Sequence, residues 1–247
     1  MAYSENEKSQ IRYARLAGFM YLFTYPSYLL GLSITGRFEV PGNFAETAHR
    51  IMGAELLYRF GLSCQLITCL CCMVLAMGLY VAVKPIDKNL ALFALLFRMT
   101  ENILGAAFSI ITFAALKLYL GVDSANGFDA KQLSIYMGLL STAYSVASLV
   151  GMIFLGMGSI LFFYLFLKSK YIPKIISAWG VFASVLATIV AFACLYWPQY
   201  SKPLELGWAP IGLAEISVGL WLLIKGLNLH PRENGTGDIV AAQSARN

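Results

Sequence analysis

The sequence predicts an all-α, polytopic membrane protein: a six-helix transmembrane bundle with short loops. Three observations carry this expectation. Of 247 residues, 59% are apolar and only 13% are charged. The mean hydropathy is +0.68. The apolar residues also gather into long runs separated by short polar stretches. A soluble domain carries about 25% charged residues, so a soluble globule is excluded, and so is a disordered chain. Inside a bilayer each backbone polar group needs a partner within the protein, which favours helices. About 20 apolar residues make one crossing.

The runs fall in order along the chain. Leu16–Thr35 carries no charge. The residues before it mix acids and bases (Glu5, Glu7, Lys8, Arg12, Arg15), and the run exceeds the roughly 7–15 apolar residues of a secretory signal. A retained span is expected, kinked at Pro26, which lacks a backbone donor. Gly36–Arg59 is the longest stretch that does not span. In it Asn43 and Glu46 have the spacing of a helix cap and its capping-box acid. Phe44 to Tyr58 then suits a helix on the outer interface or an extension of the second span.

Phe60–Val83 is uncharged. Asn89–Leu116 is interrupted by Arg98 and Glu101. Gln132–Leu167 would reach roughly 54 Å as a helix. That is too long for one straight crossing and too short for two with a turn, so one helix projecting into the outer interface is expected. Ile175–Ser201 is uncharged, and Leu206–Ile224 holds a single charge, Glu215. Residues 1–230 are therefore expected to form one transmembrane domain, with spans near 16–35, 60–83, 89–116, 132–167, 175–197 and 206–225. The polar residues 231–247 are expected to be a disordered tail.

Lys and Arg set the orientation. With the N-terminus inside, the inner side holds eleven: Lys8, Arg12, Arg15, Lys84, Lys88, Lys168, Lys170, Lys174, Lys225, Arg232 and Arg246. The outer side holds six: Arg37, Arg50, Arg59, Lys117, Lys131 and Lys202. Both termini are expected in the cytoplasm, and membrane lipids are the expected surroundings. The net charge of +5 does not point to nucleic acid, because the bases sit at span ends rather than in one stripe. Two His residues give little basis for a metal site, and no cofactor is implied. Cys69 and Cys72 form a Cys-x-x-Cys spacing near the middle of a span, where a thiolate is disfavoured. They read as small, soft packing residues. Gly105, Ala106, Ala107, Gly151, Gly156 and Gly158 read as close-packing positions. Gln65, Thr68, Thr100, Thr142 and Tyr144 read as interhelical hydrogen-bond formers.

An ionisable side chain within a span is a functional candidate by default. Arg98 and Glu101 are three apart and share a helix face. Glu215 lies near the middle of the last span, and Asn102 borders the Arg98 face. Three readings fit this set: mutual partners that lock the bundle, a ligand site, or a proton or ion path. The charge count excludes none. Two acids against one Arg leave a carboxylate that is protonated, paired with a ligand cation, or paired with Arg59. In the ligand reading Arg98, Arg59 and Asn102 bind, with Arg98 on an anionic headgroup, while Glu215 and Glu101 serve as acid or base. Glu55 and Arg59, four apart, also fit a local interfacial pair.

Several strings resemble a known family. They are Ala14-Arg15-Leu16-Ala17-Gly18-Phe19, Tyr58-Arg59-Phe60-Gly61, Phe97-Arg98-Met99-Thr100-Glu101, Ile172-Pro173-Lys174 before Ser177-Ala178-Trp179-Gly180, and Trp221-Leu222-Leu223-Ile224-Lys225-Gly226 after Pro210 and Glu215. Together, over roughly Arg12 to Asn228, they resemble the bacterial multi-span family catalogued as domain of unknown function 4386. The resemblance implies a six-span protein of the bacterial inner membrane. It implies no catalytic site. The function expected from the residues is binding of, or action on, a lipid-like or small amphipathic molecule at the Arg/Glu cluster. The alternatives are a non-enzymatic structural, stress or assembly factor, and a small transporter. Neither catalysis nor oligomeric state is fixed by the sequence.

Overall fold

The computed structural model describes residues 4–121 and 130–229. The expected tail from residue 231 lies outside the described residues. Among the described residues there is no strand. Six long helices run back and forth: α1 (Glu5–Gly36), α3 (Glu55–Val83), α4 (Lys88–Tyr119), α5 (Ala130–Ser169), α6 (Lys174–Tyr196) and α8 (Ala209–Ile224). A short helix, α2 (Phe44–Gly53), joins α1 to α3, and a one-turn helix, α7 (Ser201–Leu204), lies between two 3-10 turns before α8.

The local sequence explains the element ends. Ser4 opens α1 with a full capping box, in which its side chain accepts from the Glu7 N–H and Glu7 accepts from the Ser4 N–H. Asp87 caps α4 by accepting from the N–H groups of Asn89 and Leu90. Asn43 caps α2 by accepting from the Glu46 N–H at 3.0 Å. The reciprocal half of that box is absent, because the Glu46 carboxylate turns to Arg50 at 2.8 Å. Ala54, at φ −148° and ψ 47°, breaks the chain between α2 and α3. The segment Phe44–Gly53 is thus a separate helix rather than an extension of the span.

α5 is one continuous helix of 40 residues, about 60 Å long at about 1.5 Å per residue. α1 continues through Pro26 for 32 residues. Five helical segments are long and apolar enough to cross a membrane: α3, α4, α5, α6 and the segment Pro198–Ile224 that ends in α8. α1 has the length but not the composition, because Thr24, Tyr25, Pro26, Ser27 and Tyr28 dilute its middle.

The six long helices form a closed ring in chain order. Each packs on the next, and α8 returns to pack on α1. α1 and α3 run antiparallel along nearly their whole length. Gln10 donates to the Ala82 carbonyl at one end. Ser27 donates to the Cys64 carbonyl further along at 3.1 Å, and Gln65 donates to Thr35 near the other end at 3.2 Å. The α1–α8 seam is closer still. A Cβ built on Gly18 would lie 2.5 Å from the Leu223 nitrogen and 2.7 Å from the Gly219 oxygen. Gly156 does the same for α5 on α6, where a Cβ would meet Thr188 and the Ser184 carbonyl. Gly151 differs from its expected packing role: nothing lies within 4 Å of a Cβ there. Thr68, Thr100 and Thr142 also depart from expectation. Each donates to the carbonyl four residues earlier on its own helix, the local bond that competes with interhelical pairing.

The two halves of the ring differ. Around the loops 84–87 and 170–173 the interior is packed by small and aromatic residues, among them Ala14, Ala17, Leu79, Ala94, Phe163, Phe166, Ala187 and Leu222. Asn228 ties the segment after α8 to this half, its N–H donating to the Tyr171 carbonyl at 2.9 Å. Under α2, at the other end, a smaller cluster joins Ile34, Phe38, Ile51, Tyr58, Leu62 and Leu116. Large apolar side chains face outward all round, including Phe19, Phe93, Ile110, Leu139, Phe182 and Leu213. Arg98, Glu101 and Glu215, the charges in the middle of the spans, face inward. This arrangement suits a lipid exterior.

Candidate functional site

The site begins with one helix face. Arg98, Glu101 and Asn102 lie on consecutive turns of α4. Arg98 and Asn102 are buried. Arg98 Nε sits 3.3 Å from Glu101 Oε2. Asn102 Nδ2 donates to the Arg98 carbonyl at 2.7 Å, which fixes the amide against its own helix. α4 has no backbone contact with α8, its counterpart across the ring. Arg98 nevertheless reaches Glu215 on α8, with Nη1 3.5 Å from Oε1. The guanidinium therefore crosses the ring interior.

Two neighbours complete the cluster. Tyr25 on α1 donates its hydroxyl to Glu215 Oε2 at 2.9 Å. Arg98 Nη1 donates to Ser159 Oγ on α5 at 3.4 Å. Gly158 lets α5 approach the arginine stem: a Cβ there would lie 2.8 Å from Arg98 Cγ and 3.1 Å from the Ala94 oxygen. Four helices thus meet at one side chain.

The closure is incomplete. Arg98 Nε, Glu101 Oε2 and Glu215 Oε1 are buried and make no hydrogen bond, although each lies within ion-pair distance of an opposite charge. The separations, 3.3 and 3.5 Å, are long for charge-assisted bonds, which run near 2.7–2.9 Å. A buried polar atom left without a partner calls for an explanation.

The cluster lines a cavity of about 450 Å³ between α1, α3, α4, α5 and α8. Tyr21, Tyr25 and Tyr28 supply its α1 wall, spaced four and three apart on one helix face. Cys69 and Cys72 on α3 line it as free thiols. Gly151 adds open wall, Gly212 faces the Tyr25 hydroxyl, and Trp208 lies just before α8 with its Nε1–H buried and without a hydrogen bond. A second cavity of about 420 Å³ lies beneath α2 and shares Gln65, Phe108, Thr112 and Tyr144 with the first. The second cavity thus adjoins the first on its α2 side, and the packed half lies on the other side.

Of the residues expected from sequence, Arg98, Glu101, Asn102 and Glu215 lie together on this chamber. Arg59 does not join them. It pairs with Glu55 at 2.6 Å on the protein surface, both side chains well exposed, so it is not the second partner of Glu101 or Glu215. Sequence reasoning missed Tyr25 and Ser159. The Tyr21, Tyr25, Tyr28 spacing was a usable signal for the first, while nothing in the sequence marks Ser159. Among the described residues no group of three His, Cys, Asp or Glu side chains is placed to hold a metal ion.

Residues 16–226 match the family model described as domain of unknown function DUF4386. The chain belongs to this family. The match runs from the middle of α1 to just past α8, so the whole DUF4386 region contains every wall of the chamber. No curated protein and no solved structure matches the chain.

Proposed function

We propose that this DUF4386 protein is a six-span protein of the bacterial inner membrane, with both termini cytoplasmic, that binds or acts on a lipid-like or small amphipathic molecule in its interior chamber. The sixth span is α1. Its antiparallel pairing with α3 from Gln10–Ala82 to Thr35–Gln65 gives it the same reach as the most apolar helix of the bundle. The excess of Lys and Arg on one side supports the orientation.

The observation that carries the binding reading is the loose polar cluster on the wall of a sizeable, mostly apolar chamber. A few convergent polar groups in an apolar pocket of about 300–1,000 Å³ are what small-molecule sites present. A lock that only fixes packing does best with every polar atom satisfied, since breaking or leaving open a buried pair is costly. Here three charged atoms have no hydrogen bond. Glu215 and Glu101 are the groups that would donate or accept a proton if the bound molecule is transformed.

Native mass spectrometry of protein extracted gently from its own membrane tests this reading. The wild type is compared with Glu215→Gln and Arg98→Gln. A discrete bound mass in the wild type that both variants lose is expected. No bound mass on the wild type would overturn the binding reading and leave the lock, since both variants lose stability under either account.

A further inference from the structure

We propose that the chamber selects a cation: an organic ammonium compound with an apolar or aromatic body. This rests on the reading of the chamber as a binding site and names its ligand class.

The charges are the first argument. Among the described residues, the chamber is lined by two carboxylates, Glu101 and Glu215, against one base, Arg98, and the adjoining cavity adds the carboxylate of Glu39 and no base. Each cavity thus carries a formal excess of negative charge inside a chain whose net charge is +5. A cleft of one sign with apolar walls concentrates the opposite ion.

Accessibility is the second argument. The Arg98 side chain is 3% exposed, against 17% for Glu101 and 10% for Glu215. A carboxylate flanks the guanidinium on each side. What a visiting group meets is therefore carboxylate, chiefly that of Glu101, rather than guanidinium. The expectation that Arg98 holds an anionic headgroup gives way to the reverse polarity.

The walls are the third argument. Tyr25 and Tyr28 of α1 line the chamber with Phe108 and Tyr144, whose rings meet edge to face at 5.9 Å. Aromatic faces beside carboxylates are the recognised surroundings of ammonium groups.

The test is isothermal titration of the full-length protein in neutral detergent with three probes of one shape: benzyltrimethylammonium, benzoate and benzyl alcohol. Saturable binding of benzyltrimethylammonium alone is expected, about tenfold or more weaker in Glu101→Gln. Gly151→Leu guards against a folding artefact, because its side chain enters open chamber space, and it should abolish binding while the protein stays folded. Benzoate binding that Arg98→Gln removes would overturn the cation assignment and leave the chamber a binding site. Equal binding of benzyl alcohol would also overturn it. Saturable binding of none of the three, with no bound mass in native spectra, would overturn the binding site itself.

Discussion

Arg98 is the residue on which the interior depends. Among the described residues it is the one base facing Glu101 and Glu215, and it bridges helices whose backbones do not meet. Arg98→Gln leaves both carboxylates without a cation and should cost about 3–5 kcal/mol. Glu215→Gln keeps an acceptor for Tyr25 and leaves Arg98 its Glu101 partner, so a loss of about 1–3 kcal/mol is expected. Thermal or denaturant unfolding in one detergent should rank the variants in that order.

Glu39 offers a pH test at the same scale. It lies in the turn between α1 and α2 and lines the upper cavity. Desolvation pushes its carboxyl above the usual carboxylate range. In the window between its unfolded and folded values the native state holds a proton that the unfolded chain has released, so stability falls as pH rises. Glu39→Gln should remove that slope. The variant should match the wild type below the ordinary carboxylate range and be the more stable at neutral pH, read from unfolding midpoints across pH.

Much of the site was legible residue by residue. A charge in an apolar run is conspicuous, so Arg98, Glu101 and Glu215 stood out. Their meeting was not legible, because Glu215 lies more than a hundred residues from Arg98 and only the closure of the ring brings them together. The Arg59 misplacement has a simple cause. Its partner was the local one, Glu55 at i−4, which needs no tertiary structure.

At the scale of elements, the seams are set by glycines facing backbone. Gly18 is the most demanding. A methyl group there meets main-chain atoms of Leu223 and Gly219, which cannot swing aside as a side chain would. Gly18→Ala should open the α1–α8 seam, and the closure of the ring with it. Overpacking of this kind costs about 1–3 kcal/mol or more, and size-exclusion and unfolding of the variant should show the loss. Gly151→Ala should show none, since its added methyl enters open space. Helix positions were largely readable from the apolar runs, including the single long α5. The α2–α3 break at Ala54 was not, because only Gly53 marks it locally and the amphipathic stretch reads continuously across it.

The whole molecule is a ring that is solid at one end and hollow toward the other. Sequential packing is the simplest path for alternating helices, and the return of α8 to α1 completes the ring. The packed half beneath the cluster supports a chamber rather than an open channel. Reporter fusions test the arrangement in the membrane. Fusions in the α1–α2 turn near Gly42 should report the outside. Fusions in the loops at Lys84–Asp87 and Lys170–Pro173 should report the cytoplasm. The opposite pattern at Gly42 alone would remove α1 from the spans.

The central claim is that the hollow half holds a molecule. Native mass spectrometry of Gly151→Leu beside wild type tests it most directly, because this change fills volume without touching a charge or a packed seam. The account predicts that a bound mass present on wild type is lost from the variant while its unfolding midpoint is unchanged or higher. A bound mass retained by the variant, or none on either protein, would contradict it.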